Sequence, residues 1–121
     1  MFSGRWINDQ GSSMILREQD GAVTGVYITR IGHDDVVEKQ HPLVGQATGR
    51  VIGFVVRWPM AGSVTSWSGC LVTDATGAPA IHTVWHLARE RVPGDPPRQA
   101  QPWESFLTYT SVFRKAPDQA A

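Results

Sequence analysis

The sequence predicts an all-β protein, a single eight-stranded antiparallel up-and-down β-barrel. Three observations carry that expectation. Strand-like runs recur at short intervals between turn residues, and no segment longer than about 10 residues holds a helical period. The runs follow one another simply, as in an up-and-down barrel, and eight strands close a cylinder just wide enough to fill with side chains or to hold one small ligand. In several runs the face with the bulky aromatics also carries hydroxyls. Unpartnered buried hydroxyls are destabilising by roughly 1–3 kcal/mol each, so a dry core should not collect them, whereas a pocket for a polar ligand should.

The elements take the following order. GRWIND and GSSMIL are two short runs joined at a glycine, and Trp6 is read as a core plug at the closed end. VTGVYITRI alternates, setting Tyr27, Thr29 and Ile31 against Val26, Ile28 and Arg30. The charged GHDDVVEKQHP is read as a loop in which His33, Asp34, Asp35, Glu38 and His41 are solvated. LVGQATG leads into RVIGFVVRW, where Phe54, Val56 and Trp58 oppose Val55 and Arg57. SVTSWSGCLV then puts Ser63, Thr65 and Trp67 on one face, two hydroxyls and an indole in a row. After the turn TDATGAP, AIHTVWHLA sets Ile81, Thr83, Trp85 and Leu87 against His82, Val84 and His86. VPGDPPRQAQP holds four prolines, so neither strand nor helix should continue through it, and WESFLTYTSVF is the eighth run.

Bulk properties narrow the function. The 121 residues suit one domain, with the barrel over about residues 4–115 and a short flexible tail. Apolar residues make up 41%, enough for a real core. Eleven basic and eleven acidic side chains cancel, which argues against nucleic acid as a partner. No apolar run approaches the roughly 18 residues of a membrane-spanning helix, so no membrane partner is expected. Nothing at the N-terminus looks like a signal peptide, leaving a cytoplasmic protein or a secreted one whose signal has been removed. The lone Cys70 is read as an ordinary strand residue, with a disulfide to another subunit as the alternative. His82 and His86 have a spacing that chelates zinc on a helix, but a strand separates them by about 13 Å, so no metal site is expected. The inward rows hold no His, Asp or Glu, which argues against a hydrolase and for a protein that is not an enzyme.

Six motifs in order, GRWIND-GS, GxxTGxYxTxIG, GFVVRW, SVTSWSG, TVWHL and WESFLTYTSVF, resemble the avidin/streptavidin family over nearly the whole chain. The resemblance implies a streptavidin-like barrel that binds biotin as a ligand, with no cofactor. Asn8, Ser12 and Tyr27 match the three donors to the ureido oxygen, a set resembling an oxyanion hole. Thr29 matches an acceptor for one ureido N–H, Thr65 the hydroxyl at the ring sulfur, and Ser63 a hydroxyl at the carboxylate. The backbone N–H of His33 matches the contact to the other carboxylate oxygen. Trp58, Trp67 and Trp85 match the aromatic box, with Leu87 and Ile31 as apolar walls. Trp103 matches the tryptophan that a neighbouring subunit inserts as a lid, which implies a homo-oligomer: a symmetric tetramer, or else a dimer.

Two departures stand out. Ser111 occupies the position where the family has aspartate or asparagine, and a neutral hydroxyl should hold the ureido ring less firmly than a charged acceptor. Biotin is therefore expected to bind tightly but to leave faster. The segment from Trp58 to Ser63 is also short and GHDDVVEKQHP long, which makes the carboxylate contacts the least secure. The rival is a lipocalin-like barrel for another small ligand, and the inward Asn8, Ser12, Tyr27 and Thr29 argue against a lipid there.

Overall fold

The computed structural model describes residues 1–29 and 39–117. Seven strands follow in succession: β1 (Gly4–Asn8), β2 (Ser13–Gln19), β3 (Ala22–Thr29), β4 (Lys39–Thr48), β5 (Val51–Trp58), β6 (Ser63–Thr73) and β7 (Pro79–Arg89). Two-residue strands β8 (Arg91–Val92) and β9 (Arg98–Gln99), a 3-10 turn (Pro102–Glu104) and β10 (Phe106–Lys115) complete the order. β10 pairs antiparallel with β7 on one side and β1 on the other, closing an eight-stranded barrel of β1–β7 and β10. The expected barrel is what forms. Among the described residues no helix is long and apolar enough to cross a membrane.

Two boundaries differ from the sequence expectation. β4 begins at Lys39, so Lys39–Pro42 belong to a strand rather than to the charged loop. The run of charges has the composition of a loop, and Pro42 cannot donate to a ladder. Pro42 is tolerated because the β4–β5 ladder begins only at Leu43, leaving β4 paired on one side there. The proline-rich connection likewise is not structureless. It folds back as the β8–β9 hairpin, with Arg91 opposite Gln99, and then as the 3-10 turn, where Pro102 suits a first-turn position.

Alternation sorts the side chains as expected. Phe54 and Val56 on β5 and Ile81 and Thr83 on β7 are buried, while Val55, Arg57, His82, Val84 and His86 are exposed. The core fills the half of the barrel around Trp6, Met14, Leu16, Val23, Phe54, Ile81 and Phe113. Trp6 is fully buried and donates its Nε1–H to the Phe2 carbonyl at 2.8 Å. Phe2, upstream of the first expected run, is itself fully buried. Strands approach closely at Gly25 and Gly45, where an added Cβ would collide with the carbonyl oxygens of Ile15 and Gly53. Cys70 is exposed on β6, opposite His82 of β7.

Candidate ligand-binding site

One pleat beyond this apolar half, the inward rows change character. On β1 the next inward residue after Trp6 is Asn8, and on β10 Ser111 follows Phe113 toward the open end. Together with β3, β5, β6 and β7 they surround a cavity of about 220 Å³. It is lined by Asn8, Ser12, Tyr27, Thr29, Trp58, Thr65, Trp67, Trp85, Leu87 and Ser111, all expected, and by Gln10 and Leu107, which were not. Among the described residues no charged side chain lines it. A larger groove of about 950 Å³ crosses the outer face of β4–β7 and β10, but it is a more open surface. Convergence of polar groups and enclosure single out the inner cavity.

The polar floor is held in one orientation. Asn8 Oδ1 accepts from the backbone N–H groups of Gln10 at 3.0 Å and Ser12 at 2.9 Å. The carbonyl of the side chain is thereby used, and its amide nitrogen is turned to the Tyr27 hydroxyl at 3.4 Å. Burial pushes the Tyr27 phenol up to about 12, with the Ser12 hydroxyl acting weakly the other way. At neutral pH Tyr27 is therefore an uncharged O–H. Amide, phenol and serine hydroxyl form a cluster whose free capacity includes hydrogen-bond donation.

The aromatic walls are pinned by hydroxyls. Trp58 donates Nε1–H to Thr65 Oγ1 at 2.8 Å, and Trp85 donates Nε1–H to Ser111 Oγ at 2.9 Å. Trp67 stacks on Phe54, with centroids 4.9 Å apart, and lies against Tyr27 at 5.0 Å. The inward hydroxyls are thus not unpartnered: Thr83 donates to the Ser111 carbonyl at 2.9 Å, and among the described residues every fully buried side-chain nitrogen and oxygen has a partner. The inference from hydroxyls to a ligand holds in a narrower form. Thr65 and Ser111 each accept one indole N–H and keep further hydrogen-bonding capacity facing the cavity.

The remaining expected site residues lie elsewhere. Ser63 is at the rim, opposite Arg89, one pleat outward of Thr65. Trp103 is 79% exposed on the 3-10 turn and touches no part of its own cavity. Ile31 and His33 lie outside the described residues, as do Asp34, Asp35 and Glu38.

His41 corrects the sequence reading. It sits on the inward face of β4 opposite Tyr27, half-buried, with its ring 4.6 Å from that of Trp58. The inward rows therefore do contain a histidine. Among the described residues it hydrogen-bonds no carboxylate or hydroxyl, and no group of three His, Cys, Asp or Glu gathers there or anywhere else. His82 and His86 are exposed on the outer face, where His86 Nδ1 is 2.9 Å from Thr108 Oγ1.

The turn carrying Trp103 is firmly built. Arg98 forks onto the Glu104 carboxylate, which is held well below the usual carboxylate range, at about 2. Glu104 also accepts from the Gln101 backbone, and Arg89 Nε–H donates to the Glu104 carbonyl at 2.9 Å.

Fold and site together define a class: a closed β-barrel with an aromatic-walled, uncharged cavity for one small molecule. The chain belongs to the avidin family, whose profile matches residues 1–115. It is 32% identical over 94 residues to avidin of Gallus gallus, a match covering 71% of this chain and 62% of that protein's length. Among solved structures it resembles a rhizavidin–biotin complex, at 26% identity with a TM-score of 0.76, covering 100% of this chain and 97% of that one. It is similar to apo shwanavidin at 25% identity and TM-score 0.77, covering 96% and 97%. A biotin-binding protein from chicken matches at 28% identity and TM-score 0.76, covering 95% of each chain.

Proposed function

We propose that this protein binds biotin without catalysing a reaction on it, taking the ureido ring to the floor of the cavity and the bicycle between the indoles. The observation that carries the reading is the orientation of Asn8. Its carbonyl is consumed by two backbone N–H groups, so the amide N–H₂ joins the Tyr27 and Ser12 hydroxyls beneath Trp58, Trp67 and Trp85. Such a donor set matches a polarised carbonyl oxygen, and the uncharged walls suit a neutral ring. Thr29 and Ser111 accept the two ureido N–H groups, Thr65 meets the sulfur, and Ser63 reaches the carboxylate. Ile31 and the His33 N–H keep the roles given by the family resemblance.

The pinned indoles favour tight binding, because rigid aromatic walls lose little freedom when a ligand is held. A lipid would leave Asn8, Ser12 and Tyr27 facing hydrocarbon, which disfavours the lipocalin-like alternative. The exposed Trp103, fixed on an ordered turn, suits insertion over a neighbour's cavity. The uncharged outer face around Val51, Val84 and Val112 suits packing of a second copy. The functional unit is then a homo-oligomer, a symmetric tetramer in the fuller form of this reading.

Titration with biotin, followed by tryptophan fluorescence and by heat, tests the function. A saturable change with one biotin per chain is expected. No spectral change and no heat at any biotin concentration would end the proposal. Light scattering of the purified protein tests the assembly, and a monomer that still closes over biotin would remove the lid role of Trp103.

A further inference from the structure

The rim of the cavity carries a cation that none of the roles above uses. Along β7 the inward row runs Trp85, Leu87, Arg89, and along β6 it runs Trp67, Thr65, Ser63. Leu87 stands opposite Thr65, and Arg89 opposite Ser63. Leu87 and Thr65 line the cavity, so Arg89 and Ser63 form the next pair outward, about 7 Å further along the strands.

Arg89 is half-buried and anchored by one edge. Its Nε–H donates to the Glu104 carbonyl at 2.9 Å, and its backbone N–H donates to the Ser105 carbonyl at 2.8 Å. Among the described residues its terminal nitrogens pair with no carboxylate. Glu104, whose backbone carbonyl takes the Arg89 Nε–H, has its carboxylate forked by Arg98. A guanidinium fixed at Nε, with terminal nitrogens that no carboxylate among the described residues takes up, has the geometry that grips a carboxylate.

We propose that Arg89 is a ligand-binding residue, pairing with the carboxylate at the end of the ligand's acyl tail and making the site prefer the free acid to its amides. The inference rests on the biotin reading above. Ser63 alone cannot create this preference, since a hydroxyl serves an acid and an amide about equally. The charge on Arg89 can. Of the rim pair it is therefore the residue that decides between free biotin and biotin already joined to an amine.

The test compares dissociation constants of biotin and of the neutral biotin amide for the wild type, Arg89→Gln and Arg89→Lys. The wild type should favour the acid by about tenfold, the scale of a charge-assisted contact at a partly solvated rim. Arg89→Gln should abolish that ratio, and Arg89→Lys should keep part of it. Arg89 also steadies the Trp103 turn, so absolute affinities for both ligands will move together, and only the acid-to-amide ratio isolates the charge. Should the glutamine variant not fold, the wild type carries the test, because the ratio must shrink between low and high salt. A ratio that ignores both the substitution and the salt overturns the role of Arg89 and leaves biotin binding intact. A wild type that binds neither ligand overturns both.

Discussion

The closed and open halves of this barrel share their strands and their alternation, yet they satisfy their buried polar atoms in different ways. In the closed half the Trp6 indole gives its N–H to a backbone carbonyl, that of Phe2. In the open half Trp58 and Trp85 give theirs to the hydroxyls of Thr65 and Ser111. A hydroxyl that has accepted one bond still has a proton to give and acceptor capacity left. Burial alone does not separate core from site, because Trp67 and Thr65 are as buried as ordinary core residues. What separates them is the capacity left over after the protein has satisfied itself.

That comparison breaks most decisively under substitution of one residue from each half. Trp6→Ala removes a fully buried side chain and should destabilise the protein by about 3–5 kcal/mol, as large aromatic-to-alanine changes do. Biotin affinity of the fraction that remains folded should barely move. Tyr27→Phe removes only a hydroxyl and should destabilise by about 1 kcal/mol, while weakening biotin by about 10–100-fold through the acceptor left short of a donor. Denaturant unfolding and biotin titration of the two variants read both effects. Equal stability losses with unchanged biotin binding in Tyr27→Phe would erase the distinction between the halves.

Ser111→Asp sharpens the same distinction from the other side. The wild-type hydroxyl is shared, since it already accepts from Trp85. A carboxylate has two oxygens, one for the indole and one for a ureido N–H, and the second bond would be charge-assisted. Biotin should dissociate about tenfold more slowly from the variant. The unliganded variant should be less stable, because position 111 is only 3% exposed and a buried charge is costly. Equal off-rates for wild type and variant would mean that Ser111 does not touch the ureido group.

Much of this was legible in the sequence because a barrel writes a period of two into every strand. The inward rows of β5, β6 and β7 follow directly from it, and so does the burial of Thr65, Trp67 and Thr83. Where it failed, a local signal was overridden by pairing. Pro42 and the charges around it read as loop, yet β3 recruits Lys39–Pro42 into its ladder and carries His41 inward onto Trp58. Gln10 and Leu107 line the cavity without any mark in their residue type. Leu107 does share the parity of Ser111, two steps of two back along β10 through Tyr109. The partners of the hydroxyls were out of reach, since Trp85 and Ser111 are 26 residues apart and meet only through the β7–β10 ladder.

The smallest effect concerns protons. Burial raises the Tyr27 phenol from 10.0 to about 12, so the folded protein holds this proton more tightly than the unfolded chain does. The associated stability is present in full below about pH 10 and is lost as pH rises toward 12. By pH 11 the loss should reach about 1 kcal/mol, as a phenol held at about 12 rather than 10.0 requires. Other groups titrate in the same range, so the useful quantity is the difference between wild type and Tyr27→Phe, measured as unfolding midpoints from pH 9 to 12. The wild type should fall more steeply, and its ultraviolet tyrosinate titration should show a late step that the phenylalanine variant lacks. If the two stability curves run parallel and no late step appears, the phenol is not held in a desolvated pocket. The open half would then be wetter than its walls imply, and the donor that Tyr27 offers a ligand correspondingly weaker.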